Sequence, residues 1–177
     1  MSVAVVLVSA GKGTRLGQAV PKAAVSIAGK TMLEISLMHI SEFDPDQVVV
    51  VAPAGLVAEF ERLTSKLFSE FTVVAGGETR QQSVAAGMAK VTTDFVLVHD
   101  AARAFTPKEV FDRVNEGLAL ADCVVPAINL ADTVKQVSEN WVEKTIDRKT
   151  LRLIQTPQGF RVSTLVDGLA KTKSDFT

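Results

Sequence analysis

The sequence predicts an α/β fold in which a mostly parallel sheet is covered by helices on both faces and carries a projecting β-hairpin arm. Three observations lead there. Short β-branched runs alternate with longer segments of helical period. The first two runs, at residues 3–8 and 47–52, are nearly continuous in apolar residues, as expected of parallel strands buried on both faces. After Ile128 the alternation stops, and two strand-like runs flank a polar turn. A length of 177 residues suits one domain, and 47% apolar with 22% charged residues is ordinary for a globular chain.

The elements follow in order. Residues 3–8 form the first strand. A helix opens at Thr31, where Thr31 and Glu34 make a capping box and Leu33, Leu37 and Ile40 share a face. Residues 47–52 form the second strand, residues 58–67 a helix, and residues 71–75 the third strand. A helix spans about residues 79–90 and the fourth strand residues 94–99. The next helix starts at Thr106, with Pro107 in its first position, Glu109 in its third, and Val110, Val114 and Leu118 as its apolar stripe. Residues 123–128 read as a fifth strand holding a buried Cys123. The runs at residues 133–137 and 141–146 make a hairpin, an arm at about residues 132–147 too small to bury its own apolar face. Residues 163–173 read as a last helix.

Bulk properties exclude several function classes. A net charge of −1 gives no broad electrostatic hold on nucleic acid or anionic membrane. One cysteine, Cys123, allows neither an intrachain disulfide nor a cysteine-rich metal site. The apolar start lacks a basic lead-in, and no run is long enough to span a bilayer, so the cytoplasm is the expected compartment. Two scattered histidines, His39 and His99, lack the spacing of a zinc site.

The strongest chemical signal follows the first strand. Ser9-Ala10-Gly11-Lys12-Gly13-Thr14-Arg15-Leu16-Gly17 is a loop of small residues, with Pro21-Lys22 beyond it. Small residues let main-chain amides approach a phosphate. Arg15 and Lys22 add a planar fork and a compact charge, suited to a triphosphate whose charge grows at the transferred phosphorus. The dinucleotide fingerprint fits worse, because Leu16 stands at its third glycine position. The ATPase-type loop fails as well, since Gly13 rather than Ser or Thr follows Lys12.

Two further segments belong with it. The fourth strand leads into His99-Asp100-Ala101-Ala102-Arg103. Open sheets bind ligands at strand carboxyl ends, so Asp100 is placed for Mg²⁺, a hard ion that prefers carboxylate and phosphate oxygens; the alternative is a carboxylate that caps the next turn. Gly76-Gly77-Glu78-Thr79-Arg80-Gln81-Gln82-Ser83 opens a helix whose terminal amides are expected to face a nucleotide, with Arg80 and Ser83 on one face. The alternative for Arg80 is a plain surface charge.

Together these segments resemble the 2-C-methyl-D-erythritol 4-phosphate cytidylyltransferase family. Asp132-Thr133-Val134-Lys135, Asp147-Arg148 and Thr156-Pro157-Gln158 extend the resemblance into the arm and beyond, over essentially the whole chain. It implies a Rossmann-like sheet of the nucleotide-diphospho-sugar transferase type. It also implies transfer of a cytidylyl group from CTP to methylerythritol phosphate, with Mg²⁺, in a homodimer joined through the arm. Arg15 and Lys22 would be catalytic. Ala10, Gly11, Gly13, Gly77, Arg80 and Ser83 would form the nucleotide site with Asp100, which would also hold the metal. Arg103 and Thr133 would contact the acceptor, and Arg148 would reach its phosphate from the neighbouring subunit.

The chain departs from the family pattern in three places. Val8-Ser9 stands where proline and alanine are usual, and Ala104 replaces a proline after Arg103, which predicts a less rigid loop. The chain also stops at Ser174-Asp175-Phe176-Thr177, where the family continues with a second metal-binding aspartate and a lysine near the acceptor. Weak or absent turnover is therefore expected of these 177 residues alone, even where CTP binds. A ribitol 5-phosphate cytidylyltransferase, a sugar 1-phosphate nucleotidyltransferase and a non-catalytic nucleotide-binding protein are the alternatives.

Overall fold

A computed structural model describes residues 1–11 and 21–171, with the Lys22 side chain excluded. Its main sheet has six strands in the order β5-β4-β1-β6-β12-β7. These are β1 (Val3–Val8), β4 (Gln47–Ala52), β5 (Thr72–Ala75), β6 (Phe95–Asp100), β7 (Cys123–Val124) and β12 (Gln158–Arg161). β1, β4, β5 and β6 run parallel, and β12 lies antiparallel between β6 and β7. The chain builds outward from β1 to β4 and β5, then returns to place β6 on the other side of β1. The carboxyl ends of β1 and β6 thus form the topological switch point where open sheets hold ligands.

Burial explains the valine runs. Every residue of β1 is buried, alternating between two cores. Val3, Val5 and Leu7 pack with α1 (Met32–Phe43), α2 (Val57–Thr64) and α4 (Lys108–Gly117), through Leu33, Leu37, Ile40, Phe60 and Phe111. Ala4, Val6 and Val8 face α3 (Arg80–Met88) and α5 (Val162–Lys171), through Val84, Met88, Leu165 and Leu169. Each fully buried Val or Leu contributes roughly 1.5–3 kcal/mol. Gly87 lets α3 sit close to the sheet, because a Cβ there would lie 2.6 Å from Val6 Cγ1 and 2.9 Å from Val51 Cγ2.

α1 begins as its capping box predicts. Thr31 Oγ1 accepts the Glu34 N–H at 3.1 Å, and the Glu34 carboxylate accepts the Thr31 N–H at 3.0 Å. That hydrogen bond and the Lys66 ammonium hold the Glu34 carboxyl down to about 2. α4 begins differently from expectation. Pro107 sits at its N-cap position without a side-chain cap, and the Thr106 hydroxyl donates to the Arg103 carbonyl at 2.9 Å. Thr106 therefore closes the preceding turn instead of capping the helix.

The expected strand at residues 123–128 is two strands in different sheets. β7 joins the main sheet, while β8 (Ala127–Asn129) pairs antiparallel with β11 (Arg152–Ile154). Pro126 lies at the break, has no N–H for a ladder, and accepts the Gln155 N–H at 2.8 Å. Cys123 is accordingly exposed at the sheet edge rather than buried, and partial desolvation pushes its thiol pKa up.

The arm is β9 (Val134–Ser138) paired antiparallel with β10 (Trp141–Ile146). Glu139 adopts a positive φ of 53° in its two-residue turn. A smaller hairpin, β2 (Ser26–Ile27) with β3 (Lys30–Thr31), turns through Ala28 and Gly29 at φ 51° and 83°. The arm does not fold back on the sheet: Val137, Trp141 and Val142 are 58%, 79% and 61% exposed. No helix among the described residues is long and apolar enough to cross a membrane.

Candidate active site

A cavity of about 350 Å³ opens at the switch point, within the usual range for small-molecule sites. Three segments line it together with Ala23: residues 8–11 at the end of β1, residues 77–80 with Ser83 at the start of α3, and residues 100–102 at the end of β6. Ala10, Gly11, Gly77, Arg80, Ser83 and Asp100, all read from the sequence as site residues, come together here.

The chain turns sharply into α3 because its glycines permit close contacts. A Cβ on Gly76 would lie 2.4 Å from Ala10 Cβ and 2.8 Å from Ser83 Oγ. On Gly77 it would lie 2.4 Å from Gln82 Cβ. Side chains behind the loop satisfy its amides. Ser83 Oγ accepts the Gly77 N–H at 3.2 Å and donates to the Thr79 carbonyl at 2.9 Å. Gln82 Oε1 accepts the Glu78 and Thr79 N–H groups at 2.8 and 3.3 Å, while Thr79 Oγ1 accepts the Gln82 N–H at 3.1 Å. The expectation that these terminal amides face a nucleotide is thus altered for Gly77, Glu78, Thr79 and Gln82, whose donors are engaged inside the turn. The Thr79-x-x-Gln82 capping box was legible in the sequence and was missed.

Arg80 is more than a surface charge. Its Nε donates to Asp100 Oδ1 at 3.1 Å, joining the start of α3 to the end of β6, with the two side chains only 33% and 29% exposed. Asp100 precedes a 3-10 turn at residues 101–103 but makes no side-chain cap to it, so the capping alternative for this carboxylate fails. Its own N–H donates to Thr156 Oγ1 at 3.3 Å. The 3-10 turn is tied down by Ser36 Oγ, which donates to the buried Ala101 carbonyl at 3.1 Å.

Ser9, one of the departures, is buried. Its N–H and Oγ both donate to the Val51 carbonyl, at 2.9 and 2.6 Å. The N–H thus extends the β1–β4 pairing by one residue, and the hydroxyl adds a second bond to the same carbonyl.

Other expected site residues lie elsewhere. Arg103 lines a neighbouring, more open hollow of about 520 Å³, beside Gln155, whose Oε1 accepts from its guanidinium. Thr133 is exposed at the root of the arm. Arg148 follows the arm, and its guanidinium donates to the Ala131 carbonyl. Neither Thr133 nor Arg148 lines the Arg80–Asp100 cavity. Gly13 and Arg15 lie outside the described residues, as does the side chain of Lys22, whose backbone starts a 3-10 turn at Lys22–Ala24.

The family model for "IspD: 2-C-methyl-D-erythritol 4-phosphate cytidylyltransferase" matches residues 3–177. The chain belongs to this family. A 2-C-methyl-D-erythritol 4-phosphate cytidylyltransferase of Saccharopolyspora erythraea is 44% identical over 176 residues, covering 93% of this chain and 77% of that protein. A bifunctional enzyme IspD/IspF of Clavibacter michiganensis is 41% identical, and the match covers 98% of this chain but 44% of that longer protein. The crystal structure of the Thermus thermophilus cytidylyltransferase superposes with a TM-score of 0.75 at 31% identity, over 96% of this chain and 75% of that one. The 4-diphosphocytidyl-2C-methyl-D-erythritol synthase of Anaerococcus prevotii shares the fold, with a TM-score of 0.88 over 99% of this chain and 78% of that one, at 24% identity.

A buried imidazole lies behind the Asp100 end of the cavity. His99 is 1% exposed, with its ring edge against Phe111 at 5.0 Å between centroids. Its Nδ1 lies 2.8 Å from Thr156 Oγ1. Burial pushes the imidazole down to about 4, although the adjacent Asp100 carboxylate opposes the shift.

Proposed function

We propose that the chain transfers a cytidylyl group from CTP to 2-C-methyl-D-erythritol 4-phosphate, giving 4-diphosphocytidyl-2-C-methyl-D-erythritol and pyrophosphate. The observation that carries this reading is the Arg80–Asp100 pair at the rim of a switch-point cavity, in a chain matched by the family model over residues 3–177. The Saccharopolyspora and Thermus relatives are both named 2-C-methyl-D-erythritol 4-phosphate cytidylyltransferases.

An acceptor phosphate oxygen attacks the α-phosphorus of CTP, and the bond from that phosphorus to pyrophosphate breaks. The leaving group takes the bonding electrons, so the protein supplies alignment and charge rather than a covalent nucleophile. Ala10, Gly11, Gly77 and Ser83 shape the nucleotide end of the cavity. Arg15 and Lys22 act at the transferred phosphorus, with Gly13 giving the loop its close approach. Arg103 and Thr133 hold the acceptor. Arg148 reaches its phosphate across a homodimer formed through the arm.

Asp100 fits a Mg²⁺ site. Among the described residues no three acidic, histidine or cysteine side chains converge, yet Mg²⁺ needs only one or two carboxylates when substrate phosphates complete its shell. Arg80 holds one Asp100 oxygen and so fixes the carboxylate at the cavity rim. When bound, the metal would neutralise phosphate charge. The test, on the full-length enzyme, is a pair of titrations, with CTP–Mg²⁺ and with NADH, alongside pyrophosphate release from CTP plus acceptor. Tighter binding of NADH, or CTP binding without acceptor-dependent release, would overturn the reading.

A further inference from the structure

We infer that His99 and Thr156 form a buried hydrogen-bond relay that positions Asp100, in which His99 Nδ1 is bare and accepts the Thr156 hydroxyl while Nε2 carries the ring proton. It rests on the proposed reaction only in the role given to Asp100.

The inference starts from donor and acceptor capacity. A threonine hydroxyl has one proton and two lone pairs. Thr156 Oγ1 accepts the Asp100 N–H at 3.3 Å, so one lone pair is used. It also lies 2.8 Å from His99 Nδ1. Thr156 is 4% exposed and His99 1%, so solvent does not supply other partners. The hydroxyl proton points to Nδ1, which must then be the unprotonated ring nitrogen. A neutral imidazole carries its proton on the other nitrogen. Asp100 N–H thus donates to Thr156 Oγ1, and the Thr156 hydroxyl donates to His99 Nδ1.

The opposite tautomer fits less well. With the proton on Nδ1, His99 would donate to Thr156 Oγ1, and the hydroxyl proton would need another acceptor. No acceptor for it is found among the described contacts of Thr156. Buried polar groups left unpaired in this way are costly.

The relay joins two elements: Asp100 ends β6, and Thr156 lies two residues before β12. Phe111 of α4 buttresses the ring edge. Neither His99 nor Thr156 is placed against substrate in the proposed reaction; both are positioning residues. Partners that orient a ligating side chain typically change affinity or activity by about 10- to 100-fold when removed.

Two measurements decide the matter. The first is long-range ¹H–¹⁵N correlation of the histidine rings at neutral pH, with His39→Gln removing the other of the two histidines to assign the signals. His99 is expected to show Nδ1 at the shift of a bare ring nitrogen and Nε2 at that of a protonated one. A protonated Nδ1 would overturn the relay. The second is kinetic. Thr156→Val keeps the shape and removes the hydroxyl; it is expected to lower kcat for the acceptor reaction about 10-fold or more, with a smaller change in the KM for CTP. Thr156→Ser is expected to restore most of the loss. Equal impairment by both variants, or unchanged kcat in Thr156→Val, would overturn the positioning role. If the unsubstituted full-length enzyme shows no cytidylyl transfer, the proposed reaction fails, and the ring spectrum still judges the relay.

Discussion

Asp100 is held by groups of opposite character. Arg80 takes one carboxylate oxygen on the cavity side, while Thr156 takes the residue's N–H on the buried side. The adjacent His99 is buried and neutral, which makes it a source of acid sensitivity. Its pKa falls from 6.5 in the unfolded chain to about 4 in the folded one. Between those values the unfolded state binds more protons, so stability rises with pH across this window and falls on acidification. A shift of this size corresponds to about 3 kcal/mol lost between about pH 6.5 and pH 4. Urea unfolding across that range is expected to show the loss, and His99→Gln is expected to flatten it. Glu34 acts separately. Its depressed pKa contributes stability above about 4.5 that disappears as pH falls toward about 2, so acid sensitivity below pH 4 should persist in the variant. An unchanged slope in His99→Gln between pH 6.5 and 4 would contradict the burial account.

At the scale of elements, the turn from β5 into α3 depends on Gly76. A methyl group there would press on Ala10 Cβ and on Ser83 Oγ, the atom that accepts the Gly77 N–H. Gly76→Ala is expected to destabilise the fold by about 1–3 kcal/mol, as overpacking does, and to weaken CTP binding, because Ala10 and Ser83 line the cavity. Calorimetric unfolding with a CTP titration checks both; unchanged binding and stability would mean the loop relaxes freely. The same elements show what a sequence can reveal. β1 and β4 matched their apolar runs to the residue because every position is buried or nearly so, and α1 matched because Thr31 and Glu34 satisfy each other locally. The run from Cys123 to Ile128 misled because β-branched content does not reveal which sheet a strand joins, and Pro126 splits it. β11 and β12 were missed, since short strands paired with distant partners leave little local pattern. The cavity residues were legible as a set, but the coupling of His99 to Thr156 spans 57 positions and has no local signature.

At the scale of the molecule, the arm presents Val137, Trp141 and Val142 to solvent in the single chain. Covering them in a symmetric dimer would contribute about 25 cal/mol for each Å² of apolar surface buried. Trp141→Glu is therefore expected to shift the protein toward monomer in sedimentation velocity; an unchanged dimer would place the interface elsewhere. Sharing of sites has a stricter test. Mixed dimers of Arg15→Ala and Arg148→Ala subunits contain one site with both groups intact, and recovered activity is expected. No recovery, despite proven subunit exchange, would keep Arg148 with its own subunit's site or outside catalysis. The central claim is that the switch-point cavity performs cytidylyl transfer through Asp100, and one measurement reaches it most directly: acceptor-dependent pyrophosphate release from CTP and Mg²⁺, comparing the unsubstituted enzyme with Asp100→Asn. The account predicts release with 2-C-methyl-D-erythritol 4-phosphate in preference to ribitol 5-phosphate, and a fall in kcat of about a hundredfold in the variant, the scale of losing one electrostatic stabiliser of the transition state. Equal turnover by Asp100→Asn, or preference for ribitol 5-phosphate, would contradict it.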